Sequence, residues 1–204
     1  MNEYSPNEEN SESHKSSTEE SFLIRLKHLI FGSKRPDIYT LSTFFVNLFI
    51  GFVFFLWEIL SVIAITSREL IWQQKGVSVE AIINDRGEQL GFTHGKFIEY
   101  LTTVHSIGLI CWGIFLIGLI FLYRKKEFFI YFTVGPLVFY AGMLIFYLNF
   151  TYFLEDTTGF DKVVLLISLL SLLLHYFLLR SERLNGSINF FGLDQDEESE
   201  TTGE

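Results

Sequence analysis

Residues 41–65, LSTFFVNLFIGFVFFLWEILSVIAI, constrain the chain more than any other stretch. Across 25 positions they hold one ionisable side chain, Glu58, and no proline. A helix of that length covers roughly 37 Å at ~1.5 Å per residue, more than a hydrocarbon core of about 30 Å. Seventeen of the 25 residues are Leu, Ile, Val or Phe, each favourable by ~0.3–0.6 kcal/mol near the bilayer centre. Their sum, on the order of −5 kcal/mol, outweighs the ~2.5–3.5 kcal/mol that a central carboxylate costs on the same scale. The segment therefore inserts, with tilt or with one end protruding. Glu58 then requires a specific environment inside it.

Three further apolar runs follow, at approximately 101–123, 128–150 and 163–179. The expected fold is an all-α membrane protein: four transmembrane helices in a bundle spanning 37–185, with a small outer loop cap and disordered acidic tails. A length of 204 residues fits one domain, and a hydrophobic share of 49% with mean hydropathy +0.32 fits a membrane protein. Gly135-Pro136 predicts a kink in the third span.

The net charge of −9 is concentrated at the ends. Residues 1–20 carry −5 and residues 191–204 carry −6, whereas 21–190 carry +2. Both polar tails, 1–20 and 186–204, have little to bury and are expected to be disordered. The absence of clustered positive charge argues against nucleic acid as a partner. No signal peptide is expected, and the first span would serve as an uncleaved anchor. Within 21–36, the run FLIRLKHLIF places Phe22, Leu23, Leu26, Leu29 and Ile30 on one arc with Arg25 and His28 opposite. That pattern predicts a short amphipathic helix lying in the membrane interface, or one packed on a soluble partner.

The one sizeable loop is 66–100. The first span is expected to run on through SRELIWQQ to Gly76, and VSVEAII–NDRG–EQLGF reads as a β-hairpin turning at residues 84–87. Lys and Arg number nine on the side of the termini and the 124–126 turn, against five on the loop side. This bias predicts both termini in the cytoplasm, and the expected location is a bacterial inner membrane.

Each span carries a polar or small stripe. The first has Asn47, Gly51, Phe54, Glu58 and Ser61, and the second has His105, Ser106, Gly108, Trp112 and Gly113. The third has Thr133, Tyr140 and Tyr147, and the fourth has Ser168, Ser171 and His175. Small and hydroxyl residues serve ordinary helix packing in membranes, so the stripes alone do not define a site. The candidate intramembrane polar site is Glu58, His105, Tyr140, His175 and Asn47. Glu58 and His105 lie about 7 Å and 10 Å outward of mid-span at ~1.5 Å per residue, a depth at which they can meet. Such a pair either relays protons or locks two helices together. His105 and His175 differ in depth by roughly 16 Å, which disfavours a bis-histidine haem.

The one cysteine, Cys111, excludes an intrachain disulfide and a dithiol mechanism. No HExxH, GxSxG, P-loop or GxGxxG pattern occurs, so no catalytic residue, cofactor or metal is assigned. Asn149-Phe150-Thr151 matches a glycosylation sequon that abuts the membrane. The leading functional expectation is an accessory or regulatory membrane subunit without catalytic chemistry. It would engage a larger partner through the bundle or the cytoplasmic tails. The alternative is a small oligomeric ion- or proton-coupled transporter or channel using Glu58 and His105. Partners are the lipid bilayer and either a protein or further copies of the chain.

Overall fold

In hydrocarbon no water satisfies the backbone, so a spanning segment must close its hydrogen bonds internally. The computed structural model describes residues 36–185, and among these it contains six helices and no strand. They are α1 Ile38–Thr66, α2 Arg68–Lys75, α3 Val79–Gln89, α4 Lys96–Tyr123, α5 Phe129–Glu155 and α6 Gly159–Asn185. Four of them, α1, α4, α5 and α6, are long and apolar enough to cross a membrane. The chain is an all-α four-helix membrane bundle. The expectations for residues 1–35 and 186–204 fall outside the described residues.

Asp37 starts α1: its Oδ1 accepts from Thr40 N at 2.8 Å and its Oδ2 from Thr40 Oγ1 at 2.7 Å. These bonds satisfy an orphan donor of the first turn. The helix does continue toward Gly76, but with a break at Ser67, and the left-handed Gly76 (φ 67°) ends α2. Short turns at 124–128 and 156–158 join the remaining spans. Helix α6 is ten residues longer than its apolar run, 27 against 17, because its polar ends also remain helical.

One expectation is corrected. The expected hairpin is the helix α3. Ser78 Oγ accepts from Ala81 N at 3.1 Å, Glu80 lies in the first turn and Arg86 in the last, all suited to a helix. A lone hairpin has no third strand to pair with. The helix closes its own bonds and presents buried Asn84 and Gly87 to the start of α4. There Asn84 Oδ1 accepts from Gly95 N at 3.2 Å. In α5 the helical dihedrals break at Asn149 (φ 66°, ψ 170°), and Pro136 lies within the helix. Asn149 Oδ1 caps the restarted helix by accepting from Tyr152 N at 2.9 Å.

In the most apolar window of α4, 39% of residues are buried inside the protein, against 17–22% for the other three spans. So α4 is the central helix, packed on both α1 and α5, while the others turn most of their apolar side chains outward. Phe49, Leu60 and Phe146 are 71%, 60% and 79% exposed, a surface that only lipid covers favourably. Inside, one apolar cluster gathers Phe44, Trp112, Phe115, Leu119, Phe129 and Leu172 toward the end of the bundle nearer the termini. A second gathers Ile65, Phe97, Leu101, Val104, Leu144 and Leu148 toward the loop end. The polar centre lies in sequence between them on α1, α4 and α5.

Candidate functional site

Glu58 of α1 is 2% exposed, and both its carboxylate oxygens are engaged. Tyr140 Oη of α5 donates to Oε1 at 2.6 Å. Oε2 lies 2.6 Å from Nδ1 of His105 on α4, within hydrogen-bond distance. A carboxylate accepts only, so in the ionised state the proton resides on Nδ1. Three helices thus converge on one carboxyl group, as a buried polar group in a bundle requires.

Gly108 makes the convergence possible. A methyl there would lie 2.8 Å from both Glu58 Cδ and Tyr140 Cε2. One turn before it on the same helix, His105 takes the flank of the carboxylate. Ten residues further along α4, a methyl at Gly118 would meet the Phe132 backbone at 2.8 Å, so α4 and α5 also approach closely there.

The other two candidates lie elsewhere. Asn47, fully buried, bonds α1 to α6: Ser168 Oγ donates to its Oδ1 at 2.6 Å, and its Nδ2 donates to Ser171 Oγ at 3.0 Å and to the Thr43 carbonyl at 2.8 Å. Eleven residues separate Asn47 from Glu58, roughly 16 Å along a helix. His175, also fully buried, stacks on Tyr39 with ring centroids 5.4 Å apart and meets the edge of Phe129 at 5.6 Å. Of the five sequence candidates, then, the fold unites Glu58, His105 and Tyr140. Asn47 and His175 belong to the packing of the other half.

Glu58, His105 and Tyr140 line a cavity of about 480 Å³ walled by α1, α4, α5 and α6. Its sides are apolar and aromatic, with Phe54, Trp57, Leu137, Leu144, Leu165 and Leu169. Its loop-end rim holds Asp156, Asp161 and Lys162, which the sequence candidates did not include. Their only sequence signal was a charged turn before the fourth apolar run. The rim charges are already engaged. Arg86 forks onto Asp156 at 3.0 and 2.9 Å and reaches Glu155 at 2.9 Å. Those carboxylates hold the Arg86 guanidinium above its ordinary pKa, outside the spans. Lys162 Nζ donates to the Leu154 carbonyl at 2.8 Å and lies over the Phe153 ring. Asp161 Oδ2 accepts from Thr158 N at 3.3 Å. Trp112 lines the inner wall, and no described residue accepts from its indole N–H.

Among the described residues no three His, Cys, Asp or Glu side chains gather as a metal set. No family model, curated protein or solved structure matches the chain. What the arrangement can do follows from its chemistry alone. It can bind and release a proton at a carboxylate–imidazole pair, beside a chamber large enough for a small organic molecule.

Proposed function

We propose that this protein is a small proton-coupled membrane transporter, with Glu58, His105 and Tyr140 as its proton-binding centre. One observation carries the reading: a 2%-exposed carboxylate, paired with a titratable ring, stands on the wall of a 480 Å³ cavity that also has a polar rim. A pair that only locked two helices would need no chamber beside it. With Nδ1 turned to Glu58, proton gain and loss fall on the other ring nitrogen, Nε2. Tyr140 holds the second oxygen and keeps the carboxylate in place through both states. The rim faces the outer side in this reading, with both termini cytoplasmic in a bacterial inner membrane, in line with nine Lys and Arg against five. The accessory-subunit alternative draws its support from the acidic tails, which lie outside the described residues.

Infrared difference spectra of the protein in liposomes, taken between pH 5 and pH 9, test the centre. Wild type is expected to give an imidazole signal accompanied by a shifted carboxylate band; Glu58→Gln should remove the carboxylate shift and His105→Gln the imidazole signal. A wild type with no such signal, in a protein that melts normally, would end the proton-coupled reading.

A further inference from the structure

Resting on the proton-coupled reading, we infer that the cavity takes one lipophilic cation, an amine or a quaternary onium with apolar substituents, in exchange for the proton on His105. Glu58 places one negative charge at membrane depth, and such a charge needs one positive partner at short range. His105 Nδ1 stands 2.6 Å from the carboxylate, and the ring supplies that charge when it is protonated. Among the described residues no fixed cation is placed to take over. The groups around the pair are Tyr140 and Tyr152 of α5 and Cys111 of α4, all neutral when protonated. From α6 the cavity wall holds Asp161, Lys162, Leu165, Leu166 and Leu169. At the rim, Arg86 is committed to Asp156 and Glu155, and Lys162 to the Leu154 carbonyl.

When the imidazolium gives its proton to water at the rim, a cation in the cavity restores neutrality. One proton leaves for each monovalent cation bound, so the charge in the cavity stays constant. The walls select an organic cation over a bare metal ion. Volume is that of a site for a small organic molecule, and the Trp57 and Phe54 rings offer faces that attract cations. Trp57, Val138 and Leu166 line the cavity yet are 63%, 62% and 54% exposed, so it opens sideways onto the lipid-facing surface. A lipophilic cation already concentrated in the membrane reaches it there.

Calorimetric titration of the full chain in mild detergent with tetraphenylphosphonium, and with tetraphenylborate as its anionic isostere, decides the matter. Repeating it in two buffers of different ionisation enthalpy counts protons. Expected are saturable phosphonium binding, about one proton released per cation, and a Kd that rises about tenfold for each pH unit of acidification while exchange is complete. Glu58→Gln should abolish binding. His105→Gln, which keeps the carboxyl group and loses the titrating ring, should still bind the cation, with the released proton now coming from Glu58 itself and the pH dependence displaced accordingly. Equal affinity for the borate, or no phosphonium binding by wild type, would overturn the inference. So would binding without proton release. If the infrared signals persist while phosphonium fails to bind, the substrate class falls and the proton-coupled reading stands; if the signals are missing as well, both fall.

Discussion

At Gly108 one methyl group separates a working polar centre from a collision. The added atom meets Glu58 Cδ and Tyr140 Cε2 at 2.8 Å, and both are held by the bonds that define the centre. Overpacking of this kind costs about 1–3 kcal/mol. Gly108→Ala should lower the detergent melting temperature and shift or abolish the infrared carboxyl signal. Gly113→Ala, whose nearest neighbour is Phe55 Cε2 at 3.8 Å, should do neither. A second residue-scale prediction concerns pH. Desolvation acts to raise the Asp37 carboxyl, but the two bonds from Thr40 and the charge of Lys125 outweigh it, so the group titrates below its ordinary 3.8. A lowered folded-state pKa stabilises above the unfolded value and is lost as pH falls through the folded one. Asp37→Ala should therefore cost about 1 kcal/mol at pH 7. That cost should shrink on acidification below 3.8. Asp37→Asn should keep much of the cap without the pH dependence. Melting curves at pH 7 and pH 3 read both.

Helix α6 is the least embraced of the four spans, and its hold on α1 runs through Asn47. Three hydrogen bonds meet at that side chain, two of them to Ser168 and Ser171. Inter-helix bonds in membranes average about 0.6 kcal/mol and reach about 1.7. Asn47→Leu should thus destabilise the bundle by roughly 1–3 kcal/mol in reversible detergent unfolding. Because α6 forms one wall of the cavity, the variant should also bind the phosphonium probe more weakly while its infrared signals persist. How much of this was legible differs between elements. The four spans could be read from their apolar runs because lipid imposes one rule on every residue of a spanning helix. Helix α3 could not: its β-branched run VSVEAII has strand propensity. What decides it is the surface α4 offers to Asn84 and Gly87, a contact made only after folding. The break at Asn149 was equally invisible, since an asparagine that caps a restarted helix looks in sequence like one more polar residue near a membrane boundary.

For the molecule as a whole, four antiparallel spans put residues 37 and 185 at one end and the α2–α3 segment at the other. With Cys111 replaced by serine, a cysteine at Lys126 should resist a membrane-impermeant thiol reagent in intact cells, and one at Gln89 should react. Labelling of the Lys126 site from outside would invert the proposed orientation; labelling of both would break the four-span arrangement. In that proposed orientation the rim of Asp156, Asp161 and Lys162 faces the outer medium.

The sequence by itself determined that this chain spans a membrane four times and that Glu58 has to be held inside it. Both follow from transfer free energies that each residue carries wherever it stands. It also brought His105 within reach, because depth along a helix is a count of residues. Which partners actually meet Glu58 was decided by tertiary structure. Tyr140 is 82 positions away and His105 47. Their meeting depends on how α1, α4 and α5 rotate about their axes and on the close approach that Gly108 permits. The cavity is the furthest from the sequence. It is the space left between four packed surfaces, and no residue encodes a space alone.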